Sequence, residues 1–245
     1  MKKYIFLLIA IDIVCAVVPA LAAPPYSVDD PVTVPKGETA LFTSLQSSEV
    51  RGKETYMAPD FTALYGISDS LQFRLETGYL IKRTGKKVES GLEDTQVQLK
   101  WRCLNETKTS PQWSVAFQSK LPSADASRGL GTGDADYKFT VTVAKNYGRL
   151  KLAANAGQNF MGDAKSRDYA FAGVLGQYQL TQKLNVGLQL YGNASPAHKK
   201  PDELAFGVGM KYRYAPDHIL LFSVGRSERG YSNLSCYAGL QLNFK

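Results

Sequence analysis

Residues 233–244 read Asn-Leu-Ser-Cys-Tyr-Ala-Gly-Leu-Gln-Leu-Asn-Phe, and their alternation decides the architecture. In an extended chain successive side chains point to opposite faces. Leu234, Cys236, Ala238, Leu240, Leu242 and Phe244 therefore share one face, and Ser235, Tyr237, Gly239, Gln241 and Asn243 the other. One face is apolar, the other polar or small. The same parity recurs upstream, with Leu204, Phe206, Val208, Met210, Tyr212 and Tyr214 set against Ala205, Gly207, Gly209, Lys211 and Arg213. It holds again around Leu184–Tyr191, Leu71–Lys82, Trp113–Lys120 and Thr95–Arg102.

Read by this rule, the sequence predicts twelve strands: 38–47, 56–66, 70–83, 92–104, 112–121, 136–146, 149–160, 168–180, 183–193, 202–214, 218–227 and 233–244. In 38–47, 56–66 and 168–180 either parity remains open. Segments of about ten residues suit a tilted strand that crosses a bilayer. Even-numbered strands end in turn-like segments such as Gly66-Ile67-Ser68-Asp69 and Ala215-Pro216-Asp217, while odd-numbered ones run into longer connections, notably 84–91, 122–135 and 194–201. Short turns at one end, longer loops at the other and both termini on the short-turn side predict an all-β, antiparallel up-and-down transmembrane barrel.

A secreted β-sandwich would alternate too. Two features favour the barrel. Tyr79, Trp101, Trp113, Phe160, Tyr212, Tyr214 and Phe244 sit near the ends of the apolar faces, where an interfacial girdle belongs, and the opposite faces carry Gly, Gln, Asn, Lys and Arg, as a wet lumen requires.

Composition agrees. Of 245 residues 44% are hydrophobic and 21% charged, which excludes a disordered chain, and the 21 Gly and 14 Tyr are spread among many short segments. The net charge of +7 is diffuse, so nucleic acid is not an expected partner. Lys2 and Lys3, the apolar stretch 4–18 and Ala20-Leu21-Ala22 form a secretory signal expected to be cut after Ala22, leaving Ala23 first. The expected organisation is thus a cleaved signal at 1–22, an N-terminal periplasmic segment at 23–37 and an outer-membrane barrel at 38–245. Cys15 leaves with the signal; Cys103 and Cys236 fall at opposite ends of non-adjacent strands and are expected to stay unbridged.

Several motifs point to a family. Lys120-Leu121-Pro122, Arg128-Gly129-Leu130-Gly131-Thr132-Gly133, Asp136-Tyr137 and Ala144-Lys145-Asn146-Tyr147-Gly148 resemble the family named for the MetA pathway of phenol degradation. Asp30-Pro31, Leu92-Glu93-Asp94 and Phe160-Met161-Gly162-Asp163 extend the resemblance over roughly 29–245. It implies an outer-membrane barrel and a transporter of aromatic or other poorly soluble compounds, and it carries no set of site residues.

Candidate site residues come from the chain itself. Arg74, Lys100, Arg102, Lys120, Lys138, Lys151, Lys211 and Arg213, with Glu76 and Asp94 against them, are expected to line the lumen, an excess of positive charge able to attract anions. Gly129, Gly131, Gly133 and Asp134 lie in a loop expected to fold over the barrel mouth as a constriction; no Lys-Ser or Lys-Thr follows, so it is not a phosphate loop. Asp125, Asp134 and Asp136 bracket that loop, but no metal and no cofactor is expected. A surface lipid-modifying enzyme would need a His beside a nucleophile, and the two histidines, His198 and His218, fall in a loop and a turn.

The sequence therefore predicts a Gram-negative outer-membrane channel for passive uptake of small compounds, aromatic or anionic ones among them. A closed structural or interaction barrel is the alternative, and a surface enzyme the third. Expected partners are outer-membrane lipid and lipopolysaccharide, the barrel-assembly machinery and a small-molecule solute.

Overall fold

A computed structural model describes residues 24–50, 53–164, 166–195, 202–227 and 233–245. The expected signal and His198 lie outside the described residues. The strands are β1 (Thr39–Val50), β2 (Lys53–Gly66), β3 (Leu71–Thr84), β4 (Lys87–Leu92), β5 (Gln96–Leu104), β6 (Gln112–Lys120), β7 (Asp136–Tyr147), β8 (Leu150–Phe160), β9 (Tyr169–Gln179), β10 (Leu184–Asn193), β11 (Glu203–Ala215), β12 (His218–Ser227) and β13 (Asn233–Phe244). Consecutive strands pair antiparallel except β4 and β5, which both pair with β3, and β1 closes the ring on β13 from Thr39↔Phe244 to Ser48↔Ser235. Closure leaves the ring without a free sheet edge apart from β4, which pairs with β3 alone, and a sheet needs such closure in order to stand in hydrocarbon.

Thirteen strands make twelve wall positions. β3 pairs with β5 from Leu71↔Trp101 to Glu76↔Gln96 and, above that, with β4 from Tyr79↔Leu92 to Thr84↔Lys87. β4 and β5 are thus one wall position interrupted at Glu93–Thr95. The loop expected at 84–91 is corrected by this pairing: only Gly85 and Lys86 turn the chain, and Val88 to Leu92 continue the sheet. Gly85 has φ +60, the left-handed conformation that a two-residue hairpin turn demands.

Side-chain parity follows the sequence reading, and the three open cases are resolved. In β9 Gly173, Leu175 and Gln177 are buried while Ala172, Val174 and Tyr178 are exposed. In β1 Ala40, Phe42 and Ser44 point inward, and in β2 Asp60 and Thr62 do so against exposed Phe61 and Tyr65. All seven girdle aromatics are exposed on the outer face. Cys103 and Cys236 are both free.

The interior is polar. Gln72, Arg74, Glu76, Gln96, Gln98, Lys100, Gln118, Thr142 and Asn155 are all buried. Through this interior runs the part of the chain that precedes β1. Gly37 N–H donates to Gly66 O at 2.8 Å at the short-turn rim, Thr33 Oγ1 donates to Asp69 O at 2.7 Å, and Val34 N–H donates to Gln72 Oε1 at 2.9 Å. From there the chain climbs inside the ring. Tyr26 and Val28 are each only 2% exposed and cluster with Ala144, Ala153 and Leu175. Burial of the Tyr26 and Val28 side chains stabilises the seated segment by removing apolar surface from water.

Candidate functional site

The N-terminal segment meets the lumen through charge, aromatic contact and backbone hydrogen bonds. Asp29 pairs with Lys100, Nζ to Oδ2 at 2.8 Å, and both side chains are under 10% exposed. The same ammonium donates to Asp30 O at 2.9 Å. Asp30 pairs with Lys151 on β8. Lys211 Nζ stands 5.6 Å from the centroid of the Tyr26 ring, within cation–π reach. Gln189 Oε1 accepts from the backbone N–H of Ser27 at 2.7 Å and of Val28 at 3.3 Å. Three of the lumen lysines expected from sequence are therefore satisfied by the chain's own N-terminal residues.

Glycines make room for this. A Cβ on Gly187 would stand 2.6 Å from Tyr26 Oη, one on Gly209 2.7 Å from Tyr26 Cε1, and one on Gly173 2.7 Å from Val28 Cγ2. The three sit on adjacent strands β9, β10 and β11 and form a track on which only a missing side chain lets the segment lie.

The other expected residues divide by height. Arg74 pairs with Glu76, and Thr62 Oγ1 donates to the same carboxylate at 3.4 Å. Arg102, on β5, donates to Asp69 O at the short-turn end. Arg213 is exposed near that end, its N–H donating to Lys183 O at 2.8 Å. At the long-loop end Lys120 bridges Asp136 at 2.7 Å and Asp94 at 3.3 Å and donates to Thr132 Oγ1 at 2.6 Å. Lys138 Nζ lies 4.4 Å from the Phe171 ring centroid.

These last groups open onto a cavity of about 360 Å³ at the long-loop end, lined by Lys120, Lys138, Tyr169, Phe171, Tyr191, Glu203 and, as its floor, Ser27. The volume lies within the range of small-molecule pockets, and its wall combines aromatic faces with ammonium groups. Tyr169, Phe171, Tyr191 and Glu203 were not singled out from sequence. Parity was the available signal for Tyr191 and Glu203, whereas Tyr169 and Phe171 lie in the strand whose parity the sequence left open.

The loop 121–135 lies against the wall. Asp125 caps a short 3₁₀ turn, Ala126–Arg128, accepting from Ser127 Oγ at 2.6 Å and from two backbone N–H groups, and these bonds hold its carboxyl below the usual range. Glu106, in the turn after β5, is lowered likewise by the Asn146 backbone N–H at 2.9 Å. Gly129 caps that turn with φ +72, Leu130 is 4% exposed, and Arg128 reaches Glu89 on β4 at 2.9 Å. Gly131 passes so close to Asp94 that a Cβ would stand 2.6 Å from its Oδ2. Gly133 also has positive φ, and Asp134 is exposed. The loop is thus tied to Asp94, Lys120 and Glu89 at the long-loop end, and the N-terminal segment occupies the lumen below it. Asp125, Asp134 and Asp136 do separate work, and no metal-holding group of three His, Cys, Asp or Glu residues occurs among the described residues.

Comparison with known proteins agrees with this architecture. A family described as "Putative MetA-pathway of phenol degradation" matches residues 25–244. No curated protein sequence matches the chain. Among solved structures, an outer membrane channel from Pseudomonas putida F1 is similar with a TM-score of 0.71 at 15% identity, over 88% of this chain and 98% of that one. The KdgM porin is similar at 0.57 and 12% identity, over 84% of this chain and 99% of that one. The NanC porin is similar at 0.58 and 9% identity, with the same shares, 84% and 99%. The shared feature is the barrel of outer membrane channels.

Proposed function

Since the chain belongs to the family described for the MetA pathway of phenol degradation, we propose that it is an outer-membrane channel for passive uptake of small anionic solutes, aromatic carboxylates included, closed by its own N-terminal segment. The observation that carries this reading is the occupancy of the lumen lysines. Lys100 and Lys151 hold Asp29 and Asp30, so the interior is built to bind carboxylates and already does so.

The pathway runs from the cavity at the long-loop end. An arriving ring meets Phe171 and Tyr191, and its carboxylate meets Lys138 and Lys120. Below, the solute competes with Asp29 and Asp30 for Lys100 and Lys151, and the segment withdraws toward the short-turn end, where Pro35 and Gly37 anchor it to the rim. Each carboxylate exchange replaces one ion pair by another, so the barrier stays low. Export by a signal cut after Ala22, assembly by the barrel machinery and contact with lipid and lipopolysaccharide belong to the same reading.

Single-channel recording of the mature protein in planar bilayers tests it, with reversal potentials in a salt gradient. Brief, anion-selective steps are expected. Cation selectivity, or silence from a barrel shown to be folded, would refute the proposal and favour a closed structural barrel.

A further inference from the structure

The outer cavity carries a charge of the wrong sign for a simple anion. Glu203, at the start of β11, lines it together with Lys138 on β7. The register fixes this placement: Lys138 pairs with Asn159 and Asn159 with Tyr169, and two residues along β9 Phe171 pairs with Asn193 and Asn193 with Glu203. Four strand steps of about 4.8 Å therefore separate the two charged residues along the wall, with Phe171 on the middle strand between them. The other two charges of the cavity cancel: Lys120 and Asp136 pair at 2.7 Å, and Asp136 also accepts from the Gly162 N–H at 2.9 Å. Glu203 has a neutral partner, Ser227 Oγ, which donates at 2.8 Å, and no cation pairs with it among the described residues.

We infer that this cavity recognises aromatic solutes that carry both a carboxylate and an ammonium group, the carboxylate on Lys138 and the ammonium on Glu203. An anion seated on Lys138 alone leaves Glu203 facing it with no compensating charge, and like charges in a partly dehydrated site repel. A solute with a cation at its far end replaces that repulsion by a second ion pair. Its apolar body lies on Phe171 and Tyr191, whose ring faces suit an aromatic neighbour. About 360 Å³ leaves room for one ring with a short substituent at each end. Glu203 is thereby a specificity residue, one that admits a carboxylate when it brings its own counter-charge. The inference deepens the channel reading, on which it rests, by adding a positive group to the carboxylate that reading requires.

The test is calorimetric titration of the purified, folded protein in detergent with para-(aminomethyl)benzoate, beside para-methylbenzoate, which lacks the amine, and benzylamine, which lacks the carboxylate. The first is expected to bind about fivefold tighter than either of the others, the effect of one partly exposed ion pair. Glu203→Gln is expected to remove its advantage over para-methylbenzoate, and Lys138→Met its advantage over benzylamine. Equal binding of the two benzoates to wild type, or no binding of either, overturns the inference, as does a preference for the amine-bearing one that survives Glu203→Gln in a folded barrel. The wild-type comparison stands even where a variant fails to fold. Conductance recorded on the same sample separates the two readings: the expected preference in a silent barrel refutes the channel alone, and equal binding of the benzoates in an anion-selective channel refutes the inference alone.

Discussion

Substituting Asp29 by Asn unseats the N-terminal segment. Its carboxylate and the Lys100 ammonium are 2.8 Å apart, with side-chain exposures of 8% and 5%, so water screens the pair little. Removing one partner of such a pair leaves an uncompensated buried charge and costs about 3–5 kcal/mol. In the seated state Asp29→Asn leaves Lys100 with Asp30 O as its remaining acceptor, whereas in the unseated state Lys100 regains water and loses nothing. The lower figure, about 3 kcal/mol, corresponds to a ~100-fold rise in the ratio of unseated to seated forms. The assay is open probability in single-channel records of wild type and variant, with heat-modifiable gel mobility as the control for an intact barrel. An open probability unchanged within a factor of three, in a folded variant, refutes the assignment of the segment as the closing element. Asp30→Asn provides an internal scale: Lys151 is 18% and Asp30 29% exposed, so a smaller effect of about 1 kcal/mol, roughly fivefold, is expected.

Lys138→Glu reverses the charge facing the Phe171 ring in the outer cavity; the reversal potential is expected to move toward cation selectivity, with unit conductance changing less than twofold. Leu130→Ala removes the buried anchor of the loop 121–135; trypsin is expected to cut after Arg128 at least tenfold faster while the wall strands remain protected. Gly66→Ala would place a Cβ 1.9 Å from Pro35 O, a backbone atom that can yield only by moving the segment's root; both thermal stability and the closed-state fraction are expected to fall. Hydrogen exchange of the 3₁₀ turn should follow Asp125, whose carboxyl is held down first by the Ser127 hydroxyl. A depressed carboxyl contributes stability that is present above its ordinary pKa, near 4, and is lost as pH drops through the lowered value. Protection of Ser127 and Arg128 is therefore expected to persist at pH 5 and to disappear only in stronger acid.

The barrel was legible because each wall strand obeys one rule. Leu204 to Tyr214 and Leu234 to Phe244 put their large apolar side chains on one parity, Tyr237 apart, and burial along β11 alternates with it. Ambiguity in 168–180 had a physical source: Ala170, Ala172, Gly173 and Gly176 are too small to declare a face, and only packing of Val28 on Gly173 separates them. The hairpin after Thr84 was missed because Lys86, Lys87 and Glu89 look like a solvated loop, whereas they sit on an arm of sheet that stands above the ring.

The N-terminal segment was missed for a different reason. Its residues carry no periodicity, since they follow bends and not a strand. Two indirect signals existed. The inward faces held more ammonium than carboxylate groups, a surplus that a low-dielectric interior does not tolerate, and adjacent Asp29 and Asp30 were among the acids without an assigned place. Inward glycines at 173, 187 and 209 left a groove that no wall side chain filled. Charge neutrality and volume, taken together, were the signals that bore on the segment, and pattern was not one of them.

The way the ring closes also sets an order of assembly. The β1–β13 pairing joins Thr39 to Phe244, 205 positions apart, so no closed lumen exists until the last strand has docked. Loop-closure entropy grows only with the logarithm of that separation, and the cost lies chiefly in the search. The N-terminal segment, attached at β1, takes no part in that ring of strand pairings. Its insertion breaks no strand pairing, and neither does its withdrawal. Closure of the wall and seating of the segment are consequently separable, since neither uses the other's backbone hydrogen bonds.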